Sequence, residues 1–171
     1  MLRNLLAKFG GNGFRGENLP LRLVAKCFFV QKILGVNRSV PWPVHWTSRI
    51  AMPSRIHRGS RYPGLSMGCH IDGRNGIHFG SNVWIGPRVS IISMNHDVDD
   101  YHRYIKASPV EIGDNCWLAA NVTILPEVVL GPHTVVAAGT VVTHSFPEGN
   151  QVLAGVPARV VKTLSDYKGG L

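Results

Sequence analysis

Acidic side chains are scarce in this sequence. Its 171 residues carry 10 Asp and Glu against 18 Lys and Arg, a formal charge of +8 that asks for an anionic partner. Nucleic acid fits poorly, because no helix-turn-helix, zinc-finger spacing or RNA-binding aromatic pattern is present and the basic residues are spread along the chain. A polyphosphorylated small ligand satisfies the charge equally well. Cysteine is scarce and odd in number, at Cys27, Cys69 and Cys116. That count argues against a disulfide framework and for a reducing compartment. Without HExxH or paired His/Cys spacing, no metal is expected; His96, Asp97 and Asp99 form no recognisable ligand set. The most apolar stretch, 19–36, is broken by Arg22, Lys26 and Lys32, which rules against a membrane span. No secretory leader is visible, so a cytoplasmic protein is expected. Stretch 19–36 reads as an amphipathic helix packed on the rest of the chain or on a neighbouring subunit, with peripheral contact to the inner face of a membrane as the alternative. Residues 1–9 form a candidate shorter helix, with 10–16 as its flexible end.

What is present is a period of six. One row of apolar residues runs Ile112, Leu118, Ile124, Leu130, Val136, Val142, and a second runs Val110, Cys116, Val122, Val128, Thr134, Thr140. Upstream, Phe79, Ile85 and Ile91 keep the first row and Val83 and Val89 the second. Leu65 with Cys69 fits a repeat, and Ile50, Ile56 and Tyr62 hold a fainter version around Trp46, Met52 and Arg58. Six is neither the helical nor the strand period. A fixed repeat of this length predicts an all-β parallel β-helix, in which short strands joined at Gly, Asn, Asp and Pro corners stack coil upon coil. Three repeats close a triangular coil of about eighteen residues. Cys69 and Cys116 fall in inward rows and read as packing. The stretch 71–77 is about two residues out of step, as if a corner were enlarged. Segment 95–109 has no repeat and reads as a loop thrown out of the coil, and long loops in compact repeat folds usually carry function. The expected organisation is a helical extension over 1–40, a β-helix over 41–162 and a tail over 163–171.

The run from Ile112 to Lys162, with WLAANVTI, VVAAGTVV and AGVPARVVK in sequence, resembles the C-terminal half of hexapeptide-repeat acetyltransferases, in particular the galactoside, maltose, nodulation-factor and exopolysaccharide group. The resemblance covers 79–162 well and the N-terminal third poorly. It implies a left-handed coil, a homotrimer and acetyl coenzyme A as cosubstrate, lying in the cleft between two subunits. General crossover chirality alone would have given the opposite hand. The resemblance also implies that His96, in SMNHD, takes the proton of an acceptor hydroxyl, a task suited to an imidazole. Its ring needs an orienting partner, a carboxylate or a backbone carbonyl. Asp97 is read as holding the loop or touching substrate, His102 as a candidate to orient substrate, and Asp99 and Asp100 as solvated charges.

For the donor, the resemblance implies Trp117 beside the pantetheine arm, Ala119 and Ala120 where a backbone N–H polarises the carbonyl oxygen, and Ala137 and Ala138 as a low wall. Thr143 and His144 stand where the family has a lysine contact, and Arg159 and Lys162 where it has cations for the ribose phosphate. The alternatives are an outward aromatic at a subunit contact for Trp117 and a solvated basic tail for Arg159 and Lys162. Ser66 stands where galactoside-type members hold the acceptor with an asparagine. With that departure the contact is either lost or supplied by neighbours such as His70 or Asn75. His45, His57, His70 and His78 are expected to face solvent, as is His133. The implied activity is O-acetylation of a sugar or saccharide hydroxyl in polysaccharide synthesis. An amino-sugar N-acetyltransferase and a non-catalytic or carbonic-anhydrase-like β-helix are the alternatives.

Overall fold

The computed structural model describes residues 1–169. Strands of two to five residues stack into three sheets that form the faces of a left-handed triangular β-helix. Face A stacks Arg49–Ala51, His70–Asp72, Ser90–Ile92, Thr123–Ile124 and Val141–Val142. Face B stacks Ile56–His57, Ile77–Phe79, Val110–Ile112 and Val129–Leu130. Face C stacks Trp84–Ile85, Trp117–Leu118, Thr134–Val136 and Gln151–Ala154, all parallel, and is closed by Arg159–Thr163 running antiparallel to its neighbour.

Both six-residue rows from Val110 to Val142 point inward, each residue at most 2% exposed. This aliphatic ladder is the core that holds the coils together, since no coil can bury its own apolar edge. The fainter N-terminal row behaves differently. Ile50 and Ile56 are buried, but Trp46 and Met52 are exposed. Met52 takes a left-handed corner conformation at φ 49°, and Trp46 stacks on His45 at 3.9 Å. Leu65 packs with the N-terminal helices instead of in the coil. Burial holds the thiols of all three cysteines above their ordinary range, with Cys116 pushed up to about 11. They act as small packing groups.

Corners form columns. At the B/C edge Asn82, Asn115, His133 and Asn150 all adopt left-handed φ between 47° and 57°, which explains why asparagine recurs there. The register measures the interruptions. Thr123 pairs with Val141 eighteen positions on, but Ser90 pairs with Thr123 thirty-three positions on. The excess of fifteen is the length of the loop 95–109, which leaves and re-enters at the A/B edge. The lower coils are longer, with Arg49 opposite His70 and His70 opposite Ser90. The two extra residues of the second spacing enlarge the corner at 73–76.

Two helices precede the prism, α1 (Leu2–Gly10) and α2 (Leu21–Phe28), the latter continuing as a π turn over Phe29–Ile33. The glycine-rich link is a packed 3₁₀ turn (Asn12–Arg15) rather than a flexible end. Phe14 is fully buried there, edge-on to Phe28 at 5.7 Å. Gly13 lets the backbone approach the prism, donating its N–H to the Pro41 carbonyl at 3.2 Å. Gln31 locks α2's extension down, its amide donating to the Trp42 carbonyl and its oxygen accepting from the Val44 N–H. No helix among the described residues is long and apolar enough to cross a membrane.

Candidate functional site

The protruding loop is a small hairpin. His96 bridges Tyr104 in antiparallel fashion, the Asp97 N–H donates to the Arg103 carbonyl, and the Ile105 N–H donates to the Asn95 carbonyl. Arg103 clamps the tip through Asp97 at 3.0 Å and Asp100 at 3.3 Å. Asp97 therefore holds the loop. Asp100 also accepts the His102 N–H, so it braces the tip while staying partly exposed. His102 and Asp99 are exposed.

The imidazole of His96 is exposed, and its Nδ1 lies 2.5 Å from the Tyr101 carbonyl oxygen. A carbonyl can only accept, so Nδ1 carries the proton, and in a neutral ring Nε2 is the nitrogen able to accept one. Tyr101 thus supplies the orienting group that the sequence called for. The Tyr104 ring packs against the imidazole at a centroid distance of 4.7 Å, and Arg74 lies over Tyr104 at 5.2 Å. Arg74 is fixed in turn by Asp72, with Nη2–Oδ2 at 2.6 Å. Burial pushes the Asp72 carboxyl up, but the hydrogen bonds and charge of Arg74 outweigh that and hold it below the usual range. Asn75, in the same enlarged corner, donates its amide to the Ile105 carbonyl at 3.0 Å and pins the loop's return.

The predicted donor residues stand elsewhere. Trp117 projects from face C, 53% exposed. Ala119 with Ala120 and Ala137 with Ala138 form successive turns of the C/A edge. Among the described residues, the Ala120 and Ala138 N–H groups donate to no protein acceptor. Arg159 and Lys162 are exposed on the antiparallel strand that closes face C. Thr143 and His144 instead follow the last strand of face A, on the A/B edge that also carries the His96 loop; His144 Nδ1 lies 3.2 Å from the Thr143 hydroxyl.

The structure thus sorts the predicted residues onto two edges. His96, Asp97, His102, Asn75, Thr143 and His144 share the A/B edge. Trp117, the four alanines, Arg159 and Lys162 share the C/A edge or face C. Face A separates the two by about six residues, at most roughly 20 Å.

Ser66 lies on the face C side of the first coil, its hydroxyl donating to the Ile85 carbonyl at 2.6 Å. His70 stands outward on face A. His57 and His78 likewise stand outward, on face B, where His78 Nδ1 meets Glu111 at 2.8 Å. His133 is half-buried, bonded to Asn150. No group of three or more His, Cys, Asp or Glu among the described residues could hold a metal.

Sequence reading missed a cleft of about 560 Å³ between face C of the first two coils and the N-terminal extension. Ser66 lines it, together with Asn18, Arg61, Asn82 and Trp84. Trp84 is the register partner of Trp117. Subtracting the fifteen-residue loop from their thirty-three-residue spacing would have revealed the pair.

Comparison with known proteins agrees with this architecture. Residues 109–144 match the family described as bacterial transferase hexapeptide (six repeats). Galactoside O-acetyltransferase of Escherichia coli is 37% identical over 95 residues, 53% of this chain and 45% of that protein. A maltose O-acetyltransferase from Clostridium difficile 630 superposes with a TM-score of 0.60 at 32% identity, covering 70% of this chain and 64% of that one. A galactoside acetyltransferase in complex with coenzyme A gives 0.60 at 29% identity, covering 72% and 68%. The chain spans about half the length of the curated relatives it matches. By its repeats, its left-handed coil and these likenesses, the chain is similar to hexapeptide-repeat acetyltransferases.

Proposed function

We propose that the protein is an acetyl-CoA-dependent O-acetyltransferase acting on a saccharide hydroxyl, with His96 as general base, at sites shared between neighbouring copies of a homotrimer. One observation carries this reading: the candidate residues divide between two edges of the prism, with the width of face A between them. In a ring of copies about an axis along the stacking direction of the coils, with face A turned to that axis, the A/B edge of each would face the C/A edge of the next at the same height. The His96 loop springs from the third coil and is pinned to the second through Asn75. On the facing copy that height lies between the cleft of coils one and two and the alanine-lined edge of coils three to five. An acceptor in the cleft and a donor along the edge would meet beside this imidazole.

The residues fit a pantetheine arm. Alanine side chains keep the wall low, the unpaired N–H groups of Ala120 and Ala138 suit a developing oxyanion, and Arg159 and Lys162 suit phosphate. In the reaction, Nε2 of His96 accepts the acceptor's hydroxyl proton as its oxygen attacks the thioester carbonyl. The tetrahedral intermediate collapses, the C–S bond breaks, and the proton passes to the departing thiolate. Tyr101 stabilises the imidazolium formed meanwhile, and Asp72, Arg74 and Tyr104 act as positioning residues. Thioesters are already activated, so no covalent enzyme intermediate is required.

Mixing variants tests the shared site. His96→Ala and Ala120→Trp are each expected to be inactive in thiol release from acetyl-CoA. Co-expressed, they should regain activity, because some interfaces then pair an intact histidine with an open groove. No regain would confine the site to one chain. A mild loss in His96→Ala alone would favour an amine acceptor, which needs no strong base. The exposed stripe of Leu21, Phe29 and Ile33 beside Arg22 and Lys26 supports peripheral contact with a membrane at the cytoplasmic face, checked by co-sedimentation with anionic vesicles.

A further inference from the structure

The cleft on face C has an electrostatic character that the transfer reaction alone does not require. Arg61 is set into it, with Nε and Nη2 both donating to Asn82 Oδ1 at 3.1 and 2.8 Å and its guanidinium 3.4 Å from the centre of the Trp84 ring. Trp84 Nε1 donates to the same Asn82 oxygen at 3.0 Å, so the three side chains form one fixed unit. Arg61 has no carboxylate partner among the described residues, although burial works against its charge. A second cavity of about 350 Å³ adjoins the first through Asn18, Ser60 and Tyr62 and is lined by Arg15 and Arg58. Arg58 lies over Tyr62 at 4.9 Å and donates to the Arg61 carbonyl, again without an ion pair. Three guanidinium groups and one carboxylate, Glu17, line the continuous space.

Guanidinium groups anchored by neutral side chains keep their charge uncompensated and their remaining N–H groups free for phosphate oxygens. Aromatic and amide groups beside them suit a sugar ring. From this geometry we infer that the cleft binds a saccharide carrying a phosphate or diphosphate ester, with Arg58 and Arg61 on the phosphate oxygens and Asn18 and Ser60 on sugar hydroxyls. The assignment of this ligand as the acetyl acceptor rests on the proposed function; its binding does not. Nucleotide-linked and polyprenyl-linked saccharides share the diphosphate chemistry.

Tryptophan fluorescence titrations without acetyl-CoA test it, using inorganic pyrophosphate, UDP-glucose, farnesyl-diphosphate-linked glucose and methyl glucoside. Pyrophosphate and both diphosphate sugars are expected to bind at least tenfold more tightly than methyl glucoside. Arg61→Gln should erase that preference and Arg61→Lys should retain part of it, while acetyl-CoA affinity by calorimetry stays unchanged in both. Tighter binding of the UDP or the farnesyl compound identifies the source. Equal binding of charged and neutral sugars, or no pyrophosphate binding, overturns the inference. So does loss of acetyl-CoA rather than pyrophosphate in Arg61→Gln, which would make the cleft part of the donor site. Should the wild type ignore acetyl-CoA yet bind pyrophosphate through Arg61, the transferase reading fails and the anion site stands.

Discussion

The two ends of the prism solve different problems. From Val110 to Val142 the repeat is strict, the inward rows are closed to solvent and each corner turns in a single left-handed residue. From Arg49 to Ile92 the spacing slips to twenty and twenty-one residues, corners swell, and the slack is taken up by hydrogen bonds that hold something other than a coil. Asp72, Arg74 and Asn75 carry the loop; Arg61 and Asn82 furnish the cleft. Regularity builds the wall, and the departures from it create the places where a ligand can sit.

That contrast can be broken from either side. The largest effect is expected at the loop: His96→Ala should lower turnover by a factor of ~10²–10⁴ with thermal stability unchanged, measured by thiol release and melting. In the regular half the signs reverse. Leu118→Ala, at a fully buried position, should cost about 2–5 kcal/mol in denaturant unfolding while the residual folded enzyme keeps its affinity for acceptor.

Smaller effects sharpen the boundary. Gly59 takes φ 62° against the Gly80 carbonyl, so Gly59→Ala should lower stability by roughly 1–3 kcal/mol. Asp72→Asn should blunt the acid sensitivity of unfolding. The folded-state carboxyl is held low, so its stabilisation is present above the ordinary aspartate range and is lost as pH falls through the lowered value. If the two unfolding curves ran parallel in acid, the Arg74 pairing would be without thermodynamic weight. The smallest change is Thr140→Val. The Thr140 hydroxyl is buried without a partner among the described residues, and its removal should stabilise by about 1 kcal/mol in the same melts.

The wall was the legible part of the sequence. Ile112, Leu118 and Ile124 announce themselves because one side chain per repeat must point inward, whatever the protein does. The protruding loop was equally visible, as a long stretch without period, and the family resemblance singled out His96 on it. Its orienting group was not, because a backbone carbonyl in a hairpin turn leaves no residue-type signature. Asn75 was marked as a ligand contact, yet its amide is occupied by the Ile105 carbonyl, a contact thirty residues distant that no local pattern reports. Trp84 and Arg61 stayed hidden for a third reason: their meaning depends on which residues stack above and beside them, and enlarged corners had blurred that count.

One consequence follows from the register on either side of the loop. Phe79 pairs with Ile112, and Ile91 with Ile124, as though nothing lay between the coils. Excursions of different length or sequence could therefore be exchanged at that corner while the scaffold's alignment is conserved. The loop and the wall that carries it are separable parts of the molecule, free to diverge at different rates.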